Sequence, residues 1–201
     1  MRPIDIRIYK TEIRERVKQS RRELKTEEKE ILDKDIAANV RRLYQYKSSQ
    51  TLLCYVSTPI EVDTINIIQN AWKDGKRVAV PRCIPDTRLM EFHYITSFEQ
   101  LSVGMFRVLE PNRTLPIVNN FDKCLMLVPA LAYDIRGYRL GYGKGYYDRY
   151  MSNFTGLTVG LCYKFDIKYH LYHGKFDQSV DTIVTDKWIK KTQRLRQDRI
   201  N

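Results

Sequence analysis

The sequence predicts an α/β fold: a single domain with a mostly parallel, Rossmann-like sheet flanked by helices. Short apolar runs typical of buried strands alternate with helical patterns, which favours parallel strands joined by helices. The run 124–130 is the most apolar, as expected of a central strand covered on both faces. The length of 201 residues, without a linker-like stretch or an internal repeat, predicts one domain over residues 1–201.

Two helices are predicted in the first fifty residues. Residues 5–24 carry an amphipathic stripe at three- to four-residue spacing. Thr26, a capping hydroxyl followed by acidic residues, begins a second helix that runs to about residue 47. The stripe of the first helix consists of Ile6, Tyr9, Ile13 and Val17, and that of the second of Ile31, Ile36, Val40, Leu43 and Tyr44.

The later elements continue the alternation of strands and helices. A buried strand at 51–57 precedes a helix that Asp63 or Thr64 caps and Gly75 ends. After it we expect a strand at 76–80 stopped by Pro81, a half-buried strand at 89–95, a helical turn at 98–101, the strand at 124–130, a helix at about 145–153, and strands at 157–163 and 182–185. Residues 187–201 are basic and polar, which predicts a terminal helix or a frayed tail.

The formal net charge of +11 is concentrated at the two ends of the chain. Residues 1–50 and 187–201 each carry +5, whereas residues 51–186 carry +1. A nucleic-acid-binding protein would interleave aromatic residues with its cations, but the last fifteen residues hold only Trp188. Nucleic acid is therefore not the expected partner.

Export, membrane insertion and zinc binding are all disfavoured. No apolar run approaches the roughly 18 residues of a membrane span, and residues 1–25 lack the apolar block of a signal peptide. The four cysteines, at positions 54, 83, 124 and 162, form no C-x-x-C pair and have no histidine at ligand spacing. Buried free thiols suit a reducing compartment, so we expect a cytoplasmic, monomeric protein.

The strongest functional signal is the segment 137–148, which follows the most apolar strand. Four glycines punctuate it, and Arg139 and Lys144 give it positive charge. Glycines let backbone N–H groups approach phosphate oxygens, and a helix beginning near Gly145 directs its positive end at them. Asp148, one turn into that helix, could hold Mg²⁺. The segment therefore predicts a nucleotide-phosphate loop of non-Walker type beyond the carboxyl end of a strand.

The stretch RLGYGKGYYD at 139–148 strongly resembles the signature of the 5-formyltetrahydrofolate cyclo-ligase family, also called 5,10-methenyltetrahydrofolate synthetases. Three more matches follow the family's order: KTEIR at 10–14, Glu61 before a helix, and DQSVD at 177–181. The resemblance spans residues 10 to about 186. It departs mildly at Ile13, where leucine is usual, and at Tyr142 and Lys144, where glycine or arginine occurs.

The resemblance implies the conversion of 5-formyltetrahydrofolate to 5,10-methenyltetrahydrofolate in one-carbon metabolism, with ATP as co-substrate and Mg²⁺ as cofactor. Phosphorylation of the formyl oxygen activates a poor electrophile. Attack by N10 within the same molecule then expels phosphate, and ADP is the other product. The folate could carry a polyglutamate tail, and a positive field would steer both polyanionic substrates to the site.

Carried over residue by residue, the resemblance also implies which side chains form the site. The ATP-binding residues would be Lys10, Arg14, Arg139, Leu140, Gly141, Tyr142, Gly143, Lys144, Gly145, Tyr146 and Tyr147. The folate-binding residues would be Val56, Glu61, Phe106, Tyr142, Gly143, Lys144, Gly145 and Tyr146. The catalytic candidates are Lys144, Tyr146 and Arg14, and the Mg²⁺ ligands are Asp148 and Asp177.

Without the resemblance, the same residues fit plainer roles. Lys10 and Arg14 fit a solvated helix face, and Glu61 fits the N-terminal charge of the following helix. Asp177 and Asp181 fit loop acids, and only the alignment separates them as metal ligands. Asp148 could also pair with a neighbouring cation, Arg149 or Lys144, instead of a metal.

Two other classes of function stay open at this point. One is a nucleic-acid-binding protein that uses both basic ends of the chain. The other is a sugar-phosphate isomerase or acyl-CoA-type transferase on a similar scaffold, because a fold does not fix a function. A requirement for nucleotide would separate the isomerase from the cyclo-ligase.

Overall fold

The computed structural model describes residues 5–192 and places helices on both faces of a central sheet. The helices are α1 (Ile6–Arg22), α2 (Thr26–Arg42), α3 (Tyr44–Ser48), α4 (Ile65–Lys73) and α5 (Tyr146–Asn153). The strands are β1 (Thr51–Leu53), β2 (Arg77–Cys83), β3 (Met90–Ile95), β4 (Leu101–Val103), β5 (Leu109–Pro111), β6 (Cys124–Pro129), β7 (Ala132–Asp134), β8 (Arg139–Leu140), β9 (Leu157–Leu161), β10 (Ile167–Lys168), β11 (Thr182–Val184) and β12 (Ile189–Lys191). Within residues 5–192, no helix combines the length and apolar character that crossing a membrane requires.

The main sheet has seven strands in the order β12-β11-β9-β6-β1-β2-β3. The five inner strands run parallel to one another. The edge strands β3 and β12 are antiparallel to their neighbours. Two small sheets, β10-β7-β8 and β4-β5, accompany the main sheet. The predicted α/β class with a mostly parallel sheet is therefore confirmed.

Strand β6 is buried along its whole length because helices cover both faces of the sheet. Its alternate residues enter two different cores: Leu125 packs with residues of α2 and α4, and Met126 with residues of α5. Tyr133 packs against Gly160 of β9, where a Cβ atom would collide with the ring. The apolar sequence of β6 thus reflects its two-sided burial.

The order of the inner strands reverses between β6 and β1. From β1 the chain moves to β2 on one side, and it later enters β6 on the other side. Such a switch point opens a crevice beyond the carboxyl ends of the two strands, where ligands of α/β proteins commonly bind. Here the crevice lies beyond Leu53 of β1 and Pro129 of β6.

The structure corrects several predicted boundaries. The strand expected at 51–57 pairs only as far as Leu53, although Cys54 to Val56 stay buried. The second helix is divided at Leu43, whose extended backbone (φ −59°, ψ 135°) accompanies a buried side chain. Strand β2 continues through Pro81, because that residue lies beyond Ala79, the last one paired with β1.

The C-terminal prediction is wrong for the residues that can be assessed. Ile189–Lys191 forms the edge strand β12, in which Ile189 pairs with Val184 of β11, instead of a helix or a frayed tail. Residues 193–201 lie outside the described part of the chain. No strand pattern is visible in the sequence here, because all three residues of β12 are exposed and two of them are lysines.

Arg21 joins α1 to the carboxyl ends of the sheet and was not singled out by the sequence. The residue is 3% exposed. Its Nε donates to Asp166 Oδ2 at 2.8 Å, and its Nη2 donates to the carbonyls of Ala130 and Leu131 at 3.2 and 2.8 Å. Its Nη1 donates to Ile60 O at 3.1 Å. One guanidinium therefore fixes a helix and three loops.

We expect Arg21→Ala to lower the free energy of unfolding by about 3–5 kcal/mol, since it leaves the Asp166 carboxylate buried without its cation. Urea titration followed by circular dichroism would measure the loss. Arg22→Ala, at the exposed neighbouring position, is the matched control and should change stability little. Equal effects of the two substitutions would contradict the structural role of Arg21.

Candidate functional site

A cavity of about 560 Å³ lies over the switch point of the sheet. All residues that the resemblance implicates, from Lys10 to Asp177, line this one cavity. They reach it from five parts of the chain: α1, the segment after β1, the β4–β5 hairpin, the glycine loop with its flanks, and the loop between β10 and β11. Residues up to 167 positions apart therefore share one site.

Helix α1 directs two cations into the cavity. Lys10 Nζ lies 2.5 Å from Asp177 Oδ2, and both side chains are mostly buried. Arg14 Nε donates to Gly141 O at 2.8 Å, which ties the helix to the glycine loop. Lys10, Arg14 and Arg21 fall at positions that share one helix face. The solvated-face alternative is thus wrong for Lys10 and Arg14.

The glycine loop has a backbone that other residues would adopt with difficulty. Gly143 and Gly145 have φ angles of +96° and +75°. A Cβ atom on Gly141 would come within 2.6 Å of Arg139 Nη1. Gly145 directly precedes α5, so the positive end of that helix faces the loop. The predicted loop followed by a helix is therefore present.

Arg139 is almost enclosed, with its side chain 6% exposed. Its Nη2 lies 2.8 Å from Asp148 Oδ2, but neither Nη2 nor Nε has a hydrogen-bond partner of good geometry among the described residues. Its guanidinium also lies over the ring of Tyr147, 5.7 Å from the centroid. A buried cation with two unused donors is well suited to an anionic ligand.

Asp148 and Asp177 each accept a backbone N–H beside their ion pair. Asp148 Oδ1 accepts from Gln178 N at 3.1 Å, and Asp177 Oδ2 accepts from Gly174 N at 2.9 Å. Burial tends to raise the pKa of Asp177, but the hydrogen bonds from Lys10 and Gly174 outweigh it and lower the pKa. The partner of Asp148 is Arg139, and the pairing with Lys144 or Arg149 that the sequence allowed is not found.

Asp177 and Asp181 lie in different surroundings. Asp181 Oδ2 accepts from both the N–H and the hydroxyl of Thr158, each at 2.8 Å, and so holds β9 beside β11. Only Asp177 lines the cavity. Within residues 5–192, no group of three or more side chains of metal-ligand type is gathered.

Glu61 lies beyond β1, 7% exposed, and lines the cavity. Its Oε2 accepts from the N–H and the hydroxyl of Thr58, at 2.8 and 2.9 Å. Asp63, and not Glu61, accepts from the first N–H groups of α4. Burial and the charge of Glu61 raise the pKa of Tyr142 well above its usual value, so the Tyr142 hydroxyl keeps its proton at neutral pH.

The wall opposite the glycine loop is apolar and includes one predicted residue, Phe106. Phe106 is 56% exposed, at the turn of the β4–β5 hairpin. Its ring faces Lys144 Nζ at 5.8 Å and the edge of Tyr146 at 6.1 Å. The sequence did not indicate the cavity residues Tyr55, Thr58, Pro81, Cys83, Met90, Met105, Val108, Leu109, Glu110 and Pro129.

The positions of some of these residues in the sequence could have predicted that they line the site. Cys83 and Pro129 end parallel strands, and the rule that ligands lie beyond such ends could have identified them. Glu110 carried none, because the short hairpin that presents it has no clear strand pattern. Its position depends on the tertiary fold alone.

The fold and the site define a class of α/β protein: one whose pocket, at the switch point of a parallel sheet, combines a cationic glycine loop with an apolar wall. This chain belongs to the 5-formyltetrahydrofolate cyclo-ligase family, whose model matches residues 7–186.

Two kinds of relative support this assignment. A probable 5-formyltetrahydrofolate cyclo-ligase of Schizosaccharomyces pombe is 31% identical over 75% of this chain and 81% of its own. The solved 5,10-methenyltetrahydrofolate synthetase of Aquifex aeolicus superposes with a TM-score of 0.80 at 31% identity, over 93% of this chain and 94% of its own. That of Mycoplasma pneumoniae gives 0.70 at 25%, over 88% and 98%.

We expect Asp177→Asn to lower the free energy of unfolding at pH 7 by at most about 1 kcal/mol. The lowered pKa of Asp177 stabilises the fold above the unfolded-state value of about 3.9, and this contribution disappears as pH falls through the lower folded-state value. The difference from the parent protein should therefore shrink between about pH 5 and pH 3. Denaturation at several pH values would measure it, with the exposed Asp122→Asn as control. A difference independent of pH would contradict the role of the ion pair.

Proposed function

We propose that this protein cyclises 5-formyltetrahydrofolate to 5,10-methenyltetrahydrofolate at the expense of ATP, releasing ADP and phosphate. The observation that carries the proposal is that one cavity is lined by every residue that the resemblance assigns to the site, including the whole stretch 139–148. The cavity joins cations from α1 and the glycine loop to an apolar wall from β2, β3 and the β4–β5 hairpin. These two walls match a polyphosphate and a pterin.

The cationic wall binds the triphosphate in this proposal. The backbone N–H groups of the glycine loop and of the first turn of α5 donate to phosphate oxygens. Lys10, Arg14, Arg139 and Lys144 add positive charge. Arg139 is the best prepared of these, since it is buried with two donors unused by the described residues. Leu140 and Tyr147 support the loop from beneath, as buried or half-buried neighbours.

Asp148 and Asp177 fit a magnesium ion. Mg²⁺ is usually held by one or two carboxylates together with substrate phosphates and water, so two carboxylates beside a phosphate loop are enough. The ion would neutralise charge on the transferring phosphoryl group. Lys10 and Arg139, which pair with these carboxylates, would then contact phosphate oxygens directly.

The folate lies along the apolar wall. Glu61 has lone pairs suited to the amino and ring N–H groups of the pterin, which form a bidentate donor edge. Val56 lies beside it, beyond β1. Phe106 stacks on the folate, and Tyr142 and Tyr146 face it from the glycine loop, with Tyr146 near the formyl group. A polyglutamate tail on the folate is compatible with this arrangement.

In this reaction the protein mainly aligns the two substrates and forms no covalent intermediate with them. The γ-phosphoryl group passes to the formyl oxygen and gives an iminium phosphate. N10 then attacks the formyl carbon, and phosphate leaves with the former formyl oxygen. Arg14, Lys144 and Tyr146 hold the two substrates in line and stabilise negative charge, and the enclosing wall excludes water.

The purified protein, given ATP, Mg²⁺ and 5-formyltetrahydrofolate, should form methenyltetrahydrofolate, followed by its near-ultraviolet absorbance. Product should depend on all three additions and should equal the ADP formed. Folded protein that makes no product would overturn the proposal. Turnover of a sugar phosphate without nucleotide would instead favour the isomerase.

Lys144→Ala should reduce kcat/KM for ATP by roughly 10- to 100-fold, as expected for the loss of one charge-assisted phosphate contact. Its thermal stability should hardly change, because the Lys144 side chain is exposed and its Nζ lies 5.8 Å from the centroid of the Phe106 ring. Lys47→Ala, an exposed lysine of α3 before the amino end of β1, is the control. A collapse of stability would mean that Lys144 is structural.

A further inference from the structure

Four carboxylates line the cavity within the described residues, and Glu110 is the one to which the proposed function gives no role. Asp148 and Asp177 are paired with Arg139 and Lys10. Glu61 is held by Thr58 beyond β1. Glu110 lies on β5 within the apolar wall and is 5% exposed.

The Glu110 carboxylate has few hydrogen bonds for so buried a charge. Its Oε1 accepts from the N–H of Cys83 at 3.2 Å. Its Oε2 lies 3.9 Å from Arg82 Nη1, beyond hydrogen-bond distance, and that nitrogen donates instead to Pro111 O at 2.7 Å. The N–H and thiol of Cys83 and the charge of Arg82 compensate the carboxylate in part, and its remaining lone pairs can accept from a group in the cavity.

The carboxylate is also held in place. Gly104 lies directly against it, so that a Cβ atom there would come within 2.6 Å of Glu110 Cδ. Burial and then the charge of Glu110 raise the pKa of the Cys83 thiol to about 11, so the thiol is neutral at pH 7 and does not repel the carboxylate. Glu110 and Tyr146, the tyrosine proposed to lie near the formyl group, line the same cavity.

The cyclisation requires a proton acceptor at this place. N10 enters the reaction as an amine carrying one hydrogen, and the methenyl product carries none there. We propose that Glu110 accepts the N10 proton, which rests on the function proposed above. As the N10–carbon bond forms, the N10–H bond breaks and its proton passes to Glu110 Oε2. The carbon–oxygen bond then breaks, its electron pair leaves with phosphate, and the product is the methenyl cation.

Glu110→Gln separates this step from phosphoryl transfer. The amide oxygen can still accept from Cys83 N–H, but the side chain can no longer take a proton. In a single turnover, ADP should form within about threefold of the parental rate, whereas methenyltetrahydrofolate should form about 100-fold more slowly. Hydrolysis of the waiting intermediate would then raise the ratio of ADP to product above one.

The controls make each outcome decisive. Glu99→Gln, an exposed acid in the turn before β4, should keep the ratio at one. Glu110→Asp keeps a carboxylate and should recover part of the cyclisation rate that Glu110→Gln loses. If Glu110→Gln does not fold, Glu110→Asp alone tests the proposal, because it should slow cyclisation more than ADP formation. Equal slowing of both products, or of neither, overturns the role of Glu110. Failure of the parent protein to form product overturns the proposed function instead.

Discussion

The buried guanidinium of Arg21 is the contact on which the geometry of the pocket depends. It donates hydrogen bonds to a carbonyl group just after β6, to the carbonyl of Ile60 in the loop before Glu61, and to the carboxylate of Asp166. These are the segments that border the switch point between β6 and β1. Because a guanidinium has five donors in a rigid plane, one side chain can set their relative positions, as an aliphatic residue could not.

One face of α1 has two roles: its C-terminal part fixes loops, and its N-terminal part borders the cavity. Toward its C-terminus, Arg21 is enclosed and fixes the loops. Toward its N-terminus, Lys10 and Arg14 border the cavity and contact Asp177 and Gly141 of the glycine loop. Since a helix is stiff over this length, the buried end holds the cavity-facing end in register. Positions of the two cations are therefore a consequence of packing as much as of their own ion pairs.

The sequence predicted the sheet class well because the inner strands are apolar on both faces and the loop carries unusual glycines. The same logic failed where burial is decided by distant parts of the chain. Arg21 looks like any other arginine on a charged helix, and its burial depends on carbonyls more than a hundred positions away. Likewise β7, β8 and β10 have only two or three residues each, too few for a period. Glu110 belongs to the same group, since its hairpin is ordered by contact with β2.

The ion pair between Lys10 and Asp177 spans 167 positions of the chain. Lys10 is synthesised long before Asp177, and the glycine loop is synthesised between them. A chain that stops before Asp177 would contain the glycine loop and both cations of α1. It would lack the Asp177 carboxylate and the inner strand β11. Contacts of such long range also slow the search for the native state. The pocket therefore cannot form until the chain has been synthesised at least as far as Asp177, so ligand binding would show that synthesis has passed this residue.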